Sequence, residues 1–329
     1  MIKKIFIIFF VVFFVISGYL LYLLFQFFHP VVFTSGEVEI YVSKGAAYKA
    51  VVRKLSKEAK GGDFTLLYLV GVYAGLGRKL KPGYYLFKSG ITQREILRKF
   101  ARHDTVKLKI DIIPGFTIWD IAKRFNVMVA EDEFLTLVRN RAFLDSLAIS
   151  APSIEGYLYP ATYLFDKGTA IRDALREIVK TRRIRYPEGF FKDKLELIGM
   201  SENEVLTLAS IIEREAVDAK ERAIISSVYH NRLRVNMPLQ ADPTAIYGVK
   251  LYRYGVTATD LKNNTPYNTY IIKGLPPGPI ASPSEASIEA ALNPTKDTYL
   301  YFVAKGDGTH YFSETYSEHK RAIAQVKKK

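Results

Sequence analysis

Two glutamates one residue apart, Glu213 and Glu215, close the stretch Leu208-Ala-Ser-Ile-Ile-Glu-Arg-Glu-Ala216, an otherwise apolar segment with helical spacing. An acidic side chain is rarely buried without a partner, and an apolar wall raises its pKa by disfavouring the charged form. A carboxyl raised in this way still holds a proton near neutral pH, which is what a general acid requires. On a helical wheel Asn203, Thr207, Ser210 and Arg214 make a polar face, while Glu213 follows Leu206 and Ala209, and Glu215 follows Leu208 and Ile211. Each glutamate therefore borders an apolar stripe, and periodicity nominates both without choosing between them. Two solvated glutamates near a helix end are the plain alternative.

Other chemistries find less support. The five histidines, His29, His103, His230, His310 and His319, form no His-x-x-x-His or His-Glu-x-x-His pair, and there is no cysteine, so neither a metal site nor any other cofactor is expected. Ser210 lies in Ala209-Ser-Ile211 and not in a Gly-x-Ser-x-Gly nucleophile elbow, which disfavours a serine hydrolase.

The elements that carry these residues begin with a membrane signal. From Ile5 to Phe28 the chain is almost wholly aliphatic and aromatic, enough as a helix to cross roughly 30 Å of hydrocarbon. Lys3 and Lys4 precede it and no further cation follows until Lys44, so the positive-inside rule sets residues 1–4 in the cytoplasm and the body outside. The expected location is thus the cytoplasmic membrane, single-pass. A cleaved signal peptide is the competing reading, against which stand a core longer than the roughly 7–15 residues of a signal and the lack of a small-x-small site after it. Lys+Arg number 47 against Asp+Glu 33, a net charge of +14, with concentrations at Lys180-Thr-Arg-Arg-Ile-Arg185 and Lys327-Lys-Lys329. Outside a membrane, anionic lipids or wall polymers suit that charge better than nucleic acid, which is not an expected partner.

After the span, Glu37–Val42 alternates like a strand, Lys44-Gly45 turns, and Tyr48–Leu55 has helical spacing. Shifted by about 70 positions, the pattern returns in Leu108–Ile113, Pro114-Gly115 and Thr117–Phe125, matching Ile40 to Ile110, Gly45 to Gly115 and Val51 to Ile121. Between the two, Pro82–Phe87 reads as a strand and Thr92-Gln-Arg-Glu95 as a capping box. The expected class is α+β, with a small module over 36–150 and a mixed α+β catalytic domain over 151–329. Within the module the segment from about 106 to 150 resembles a LysM carbohydrate-binding unit through Ile113-Pro-Gly-Phe-Thr-Ile-Trp-Asp-Ile-Ala122. Trp119 there could stack on a sugar, although its spacing with Ala122 and Phe125 favours a core role. Further on, Ser201–Glu204 caps a helix, 262–283 reads as a long ordered loop, Ser284–Leu292 as a helix, Thr298–Val303 and Thr309–Ser313 as a hairpin, and Thr315–Val326 as a terminal helix.

Several blocks together resemble one family, the MltG (YceG-like) endolytic murein transglycosylases. They are Glu155-Gly-Tyr-Leu-Tyr-Pro-Ala-Thr-Tyr163, Leu208–Ala216, Asn231-Arg-Leu233, Met237–Gly248, Tyr267-Asn-Thr-Tyr270, Gly274–Ile280 and Tyr299–Val303. The resemblance implies an endolytic enzyme that cuts the β-1,4 bond between N-acetylmuramic acid and N-acetylglucosamine in nascent strands without water. One carboxyl acts as acid and then as base, leaving 1,6-anhydro ends and terminating glycan elongation. It implies Glu213, the first of the pair, as catalytic residue, and Glu155, Tyr157, Glu215, Gln240, Asp242, Tyr247 and Asn268 as substrate-binding. Glycan strands, the membrane and cell-wall synthases are the implied partners. Asn231, Asp242 and Asn268 are equally suited to capping turns. A non-catalytic wall-binding scaffold, and a muramidase with Glu155, Glu215 or Asp242 as second carboxylate, stay open as alternatives.

Overall fold

The computed structural model describes residues 2–186 and 194–328, so Met1 and Lys329, the outer ends of the expected cytoplasmic tail and of the basic C-terminus, lie outside the described residues. The apolar run becomes α1 (Ile2–Phe28), a helix long and apolar enough to cross a membrane. The chain divides into two compact units. The first runs to Leu108 and includes Leu164–Thr169, and the second holds Lys109–Tyr163 and Ala170–Lys329.

In the first unit β1 (Glu37–Val42) is followed by α2 (Tyr48–Glu58), α3 (Thr65–Tyr73), α4 (Leu76–Lys79), β2 (Gly83–Lys88) and α5 (Gln93–Arg102), and β3 (Lys107–Asp111) leads out. The alternation of Val38, Ile40 and Val42 turns one face of β1 inward, and β1 pairs antiparallel with β2 in the register Ile40 to Tyr85 and Val38 to Phe87. Leu55 of α2 and Ile96 and Phe100 of α5 close over that face. Each such large side chain withdrawn from water contributes about 1.5–3 kcal/mol. The capping box opens α5 as expected, with Thr92 Oγ1 accepting from the Glu95 amide at 3.2 Å and Glu95 Oε2 from the Thr92 amide at 2.8 Å.

The second unit continues with α6 (Ile118–Phe125), α7 (Glu131–Leu137), α8 (Arg141–Ser146), β4 (Thr162–Asp166) and α9 (Ile171–Arg185). There follow α10 (Glu202–Glu215), α11 (Arg222–Arg234), α12 (Asp242–Ile246), α13 (Glu285–Leu292), the hairpin β5 (Tyr301–Ala304) and β6 (His310–Ser313), and α14 (Tyr316–Lys327). Strands β3 and β4 pair as a two-stranded sheet. The internal repeat is real at the level of local structure. Gly45 and Gly115 both take positive φ, 77° and 82°, between a strand and a helix, a conformation that side chains with a Cβ resist.

The compact division lies at Leu108 and Tyr163. Residues 109–163 pack with the C-terminal half because backbone bonds hold them there. Gly115 donates to the Ser282 carbonyl at 2.8 Å and Ser282 donates back to the Phe116 carbonyl at 2.7 Å. The central element is α10, buried from Val205 through Ile212. It packs against α13, α11 and α12. The basic cluster on α9 is partly internal, since Arg182 is buried and pairs with Glu202 at 2.7 Å, and Arg185 pairs with Glu285.

Candidate active site

The two glutamates that periodicity left equivalent have opposite surroundings. Glu213 turns toward α13, where its Oε2 accepts the Ser284 amide at 2.9 Å, the Ser287 hydroxyl at 2.7 Å and the Ser284 hydroxyl. Arg222 stands 3.9 Å from the other oxygen. Ser284 is also the N-cap of α13, so the Glu213 side chain meets the first turn of that helix. Only 9% of the side chain is exposed, and its hydrogen-bonding capacity at Oε2 is spent on protein donors.

Glu215, at the last position of α10, faces Tyr229 of α11 and the first residue of α12. Burial pushes its carboxyl up to about 8, the charge of Asp242 pushes the same way, and the Tyr229 hydroxyl, the Asp242 amide and Arg214 only partly offset this. The residue is partly exposed, and Asp242 beside it is exposed and held by the Tyr270 hydroxyl at 2.6 Å. Gln240, two positions earlier, is exposed as well, with a left-handed backbone at φ 49° and its amide bound to the Thr269 carbonyl at 3.1 Å. Glu215 is therefore a carboxyl that burial holds protonated near neutral pH, on a residue of which only part reaches the surface.

Arg214, between the two, turns to a third direction. Its guanidinium lies 4.0 Å from the centre of the Tyr252 ring and donates to the Gly115 carbonyl at 3.4 Å. This is the wall of a cavity of about 390 Å³ lined also by Trp119, Lys123, Tyr247 and Lys250. Trp119 is half-buried with its ring edge-on to Tyr247 at 5.2 Å, so it borders the cavity instead of filling the core that its spacing favoured.

Beneath the cavity Glu155 is only 1% exposed, and burial pushes its carboxyl up to about 8. Its Oε2 accepts from the Ile118 amide at 2.9 Å and from the Tyr247 hydroxyl at 3.0 Å, whereas Oε1 has no partner. Tyr157 is buried against Arg182, 5.1 Å from its ring, with its hydroxyl on Asn203 at 3.3 Å. Asn268 is 0% exposed and spends its amide on the carbonyls of Leu261 and Asn263 at 3.0 and 2.8 Å. Of the residues the resemblance nominates, Glu215 lies beside the exposed Asp242, itself two positions after the exposed Gln240, Tyr247 lines the cavity, and Glu155, Tyr157 and Asn268 brace from within. Ser284, Ser287 and Arg222 were not nominated, because a serine at a helix start signals only a cap in sequence.

The chain matches the YceG-like family over residues 40–325. It is 32% identical over 304 residues to an endolytic murein transglycosylase of Bacillus subtilis (strain 168), covering 87% of this chain and 83% of that protein. It is 28% identical over 280 residues to an endolytic murein transglycosylase of Streptococcus pneumoniae (strain ATCC BAA-255 / R6), covering 75% of this chain and half, 50%, of that longer relative. A crystal structure of a yceG-like protein from Listeria monocytogenes, 31% identical, superposes with a TM-score of 0.60 and covers 88% of this chain and 99% of that one.

Proposed function

The chain belongs to the YceG-like family, and on that premise we propose that it is a membrane-anchored lytic transglycosylase that cuts peptidoglycan glycan strands internally, with Glu215 as the acid and base. Relatives named endolytic murein transglycosylases support the reaction class and the substrate. The single observation that carries the assignment within the pair is the contrast between a Glu213 whose Oε2 is clamped by Ser284 and Ser287 and a Glu215 whose carboxyl is raised to about 8 beside the exposed Asp242. The family resemblance alone pointed to Glu213.

In this reading protonated Glu215 donates to the glycosidic oxygen as the bond from C1 of N-acetylmuramic acid breaks. The resulting carboxylate then takes the proton of the muramyl 6-hydroxyl as that oxygen closes onto C1, so the enzyme regains its proton and no water is consumed. Glu213 ties α10 to α13 and so fixes the helix end that carries Glu215. The Trp119, Tyr252 and Arg214 cavity offers a ring face and a cation to a sugar bearing an acidic substituent, in keeping with a LysM-like role for its first segment. The anchor α1 holds the body at the outer face of the cytoplasmic membrane, where strands are made by cell-wall synthases.

The proximity of Asp242 to Glu215 favours one second reading, a hydrolase in which Asp242 activates water or attacks C1. Turnover of isolated glycan strands by Glu215→Gln and Glu213→Gln tests the assignment. Loss in the first with substantial activity in the second supports it, and the reverse pattern returns the acid to Glu213.

A further inference from the structure

The outer third of α1 is not free helix. Leu23 and Phe27 are buried against the first unit, whereas Phe9 and Phe14 are 65% and 67% exposed. Tyr19 donates to Asp63 at 2.9 Å, and the other oxygen of Asp63 caps the Thr65 amide at 2.8 Å, which is the start of α3. Tyr19 precedes the end of α1 at Phe28 by about 14 Å along the axis. A hydrocarbon span needs roughly 20 residues, which from Ile5 ends near Leu24. The start of α3 therefore lies level with the span and not beyond it.

At that depth Asp63 spends its carboxylate on Tyr19 and Thr65, Lys49 and Arg53 of α2 lie beside Tyr22, and the exposed face of α3 is apolar. From Phe64 to Gly77 the chain carries no charge. The inward side of α3 holds Leu67, fully buried, yet its outward side is apolar too, with Leu69, Val72 and Tyr73 exposed, Tyr73 at 95%. A helix apolar on all sides is expected in a core or in lipid. The cations Arg78, Lys79 and Lys81 follow immediately, and Arg94, Arg98 and Arg102 stand exposed at four-residue spacing on α5, whose Arg94 lies 5.7 Å from the Phe28 ring. Apolar side chains bordered by cations fit the headgroup boundary of an anionic bilayer.

We propose that α3 is a second membrane element, lying in the headgroup–acyl boundary beside α1 with Leu69, Val72 and Tyr73 in lipid, so that the first unit is seated on the bilayer. The inference rests on α1 spanning the membrane. Because the chain has no cysteine, single substitutions Val12→Cys, Leu69→Cys, Val72→Cys and Ile184→Cys in the full chain can each carry one nitroxide. The labelled proteins are reconstituted in phosphatidylcholine and phosphatidylglycerol vesicles, and collisions with oxygen and with a water-soluble nickel complex give the depth of each label. The labels at 69 and 72 should favour oxygen several-fold more than the one at 184, and less than the one at 12. Water exposure at 69 and 72 equal to that at 184, with 12 in lipid, overturns the seating of α3 alone. Exclusion of both reagents from 69 and 72 means that protein covers the face and overturns it equally, while a label at 12 in water removes the anchor and this inference together.

Discussion

Glu213 accepts a hydrogen bond from Ser287 at 2.7 Å, and this contact joins the last turn of α10 to the first turn of α13. A hydrogen bond within the fold contributes about 0.5–1.5 kcal/mol, and Glu213→Gln disturbs an acceptor on which three donors converge. That variant should unfold several degrees below the parent in thermal scans and keep part of its turnover. Glu215→Gln should lose turnover by a factor of at least a thousand without the fall in unfolding temperature expected of Glu213→Gln. An inactive Glu213→Gln that unfolds at the parental temperature would show that the carboxyl acts in catalysis and not as a clamp.

The pH profile follows from the same carboxyl. In the proposed mechanism Glu215 must be protonated to begin the reaction, and burial raises its carboxyl to about 8, so kcat/KM should be level below that value and fall about tenfold per pH unit above it. A profile that rises between pH 7 and 9 contradicts a protonated Glu215 as the starting acid.

Stability should carry a signature of Glu155. Its carboxyl is raised in the fold from an ordinary 4.5 to about 8, so the folded state holds a proton that the unfolded chain gives up. That contribution is fully present below about pH 4.5 and is lost as pH rises through about 8. The unfolding temperature should decline across this window, and Glu155→Gln should make the decline shallower, the remainder coming from Glu215, whose carboxyl is raised alike. Parallel curves for the two proteins would show that Glu155 does not titrate in the fold.

The blocks that resemble the family, the strand–turn–helix repeat and the capping boxes at Thr92 and Ser201 were all legible, because each is written in local residue types that dictate local geometry. The difference between Glu213 and Glu215 was not. It depends on Ser287, Tyr229 and Asp242, which approach α10 from other elements, and a helical wheel carries only the helix's own neighbours. The helix α3 escaped notice for a related reason, since a segment apolar on every side has no amphipathic period to read.

Trp119 offers a test of the cavity separate from the chemistry. Its ring edges a space shared with Arg214 and Tyr252 and touches neither glutamate of the pair among its described ring contacts. Trp119→Ala should raise KM for glycan strands about tenfold, the effect of a ~1.4 kcal/mol contact, with kcat little changed. A drop in kcat at constant KM would place the tryptophan in the chemical step or in the fold of the site.

The product distinguishes the two mechanisms that the neighbourhood of Glu215 allows. With one carboxyl serving as acid and then base, the nucleophile is the muramyl 6-hydroxyl, and every new end is an anhydro sugar lighter by one water than the hydrolytic product. With Asp242 as a second carboxylate, which its closeness to Glu215 makes geometrically reasonable, water supplies the new oxygen. Digestion in isotopically heavy water followed by mass spectrometry separates these outcomes. Unlabelled anhydro ends are expected, and Asp242→Asn should weaken turnover only moderately while its products stay anhydro, because in this reading Asp242 shapes the pKa of Glu215 and takes no part in bond formation. Reducing ends that carry the heavy oxygen would sink the transglycosylase reading and assign Asp242 to the hydrolytic step.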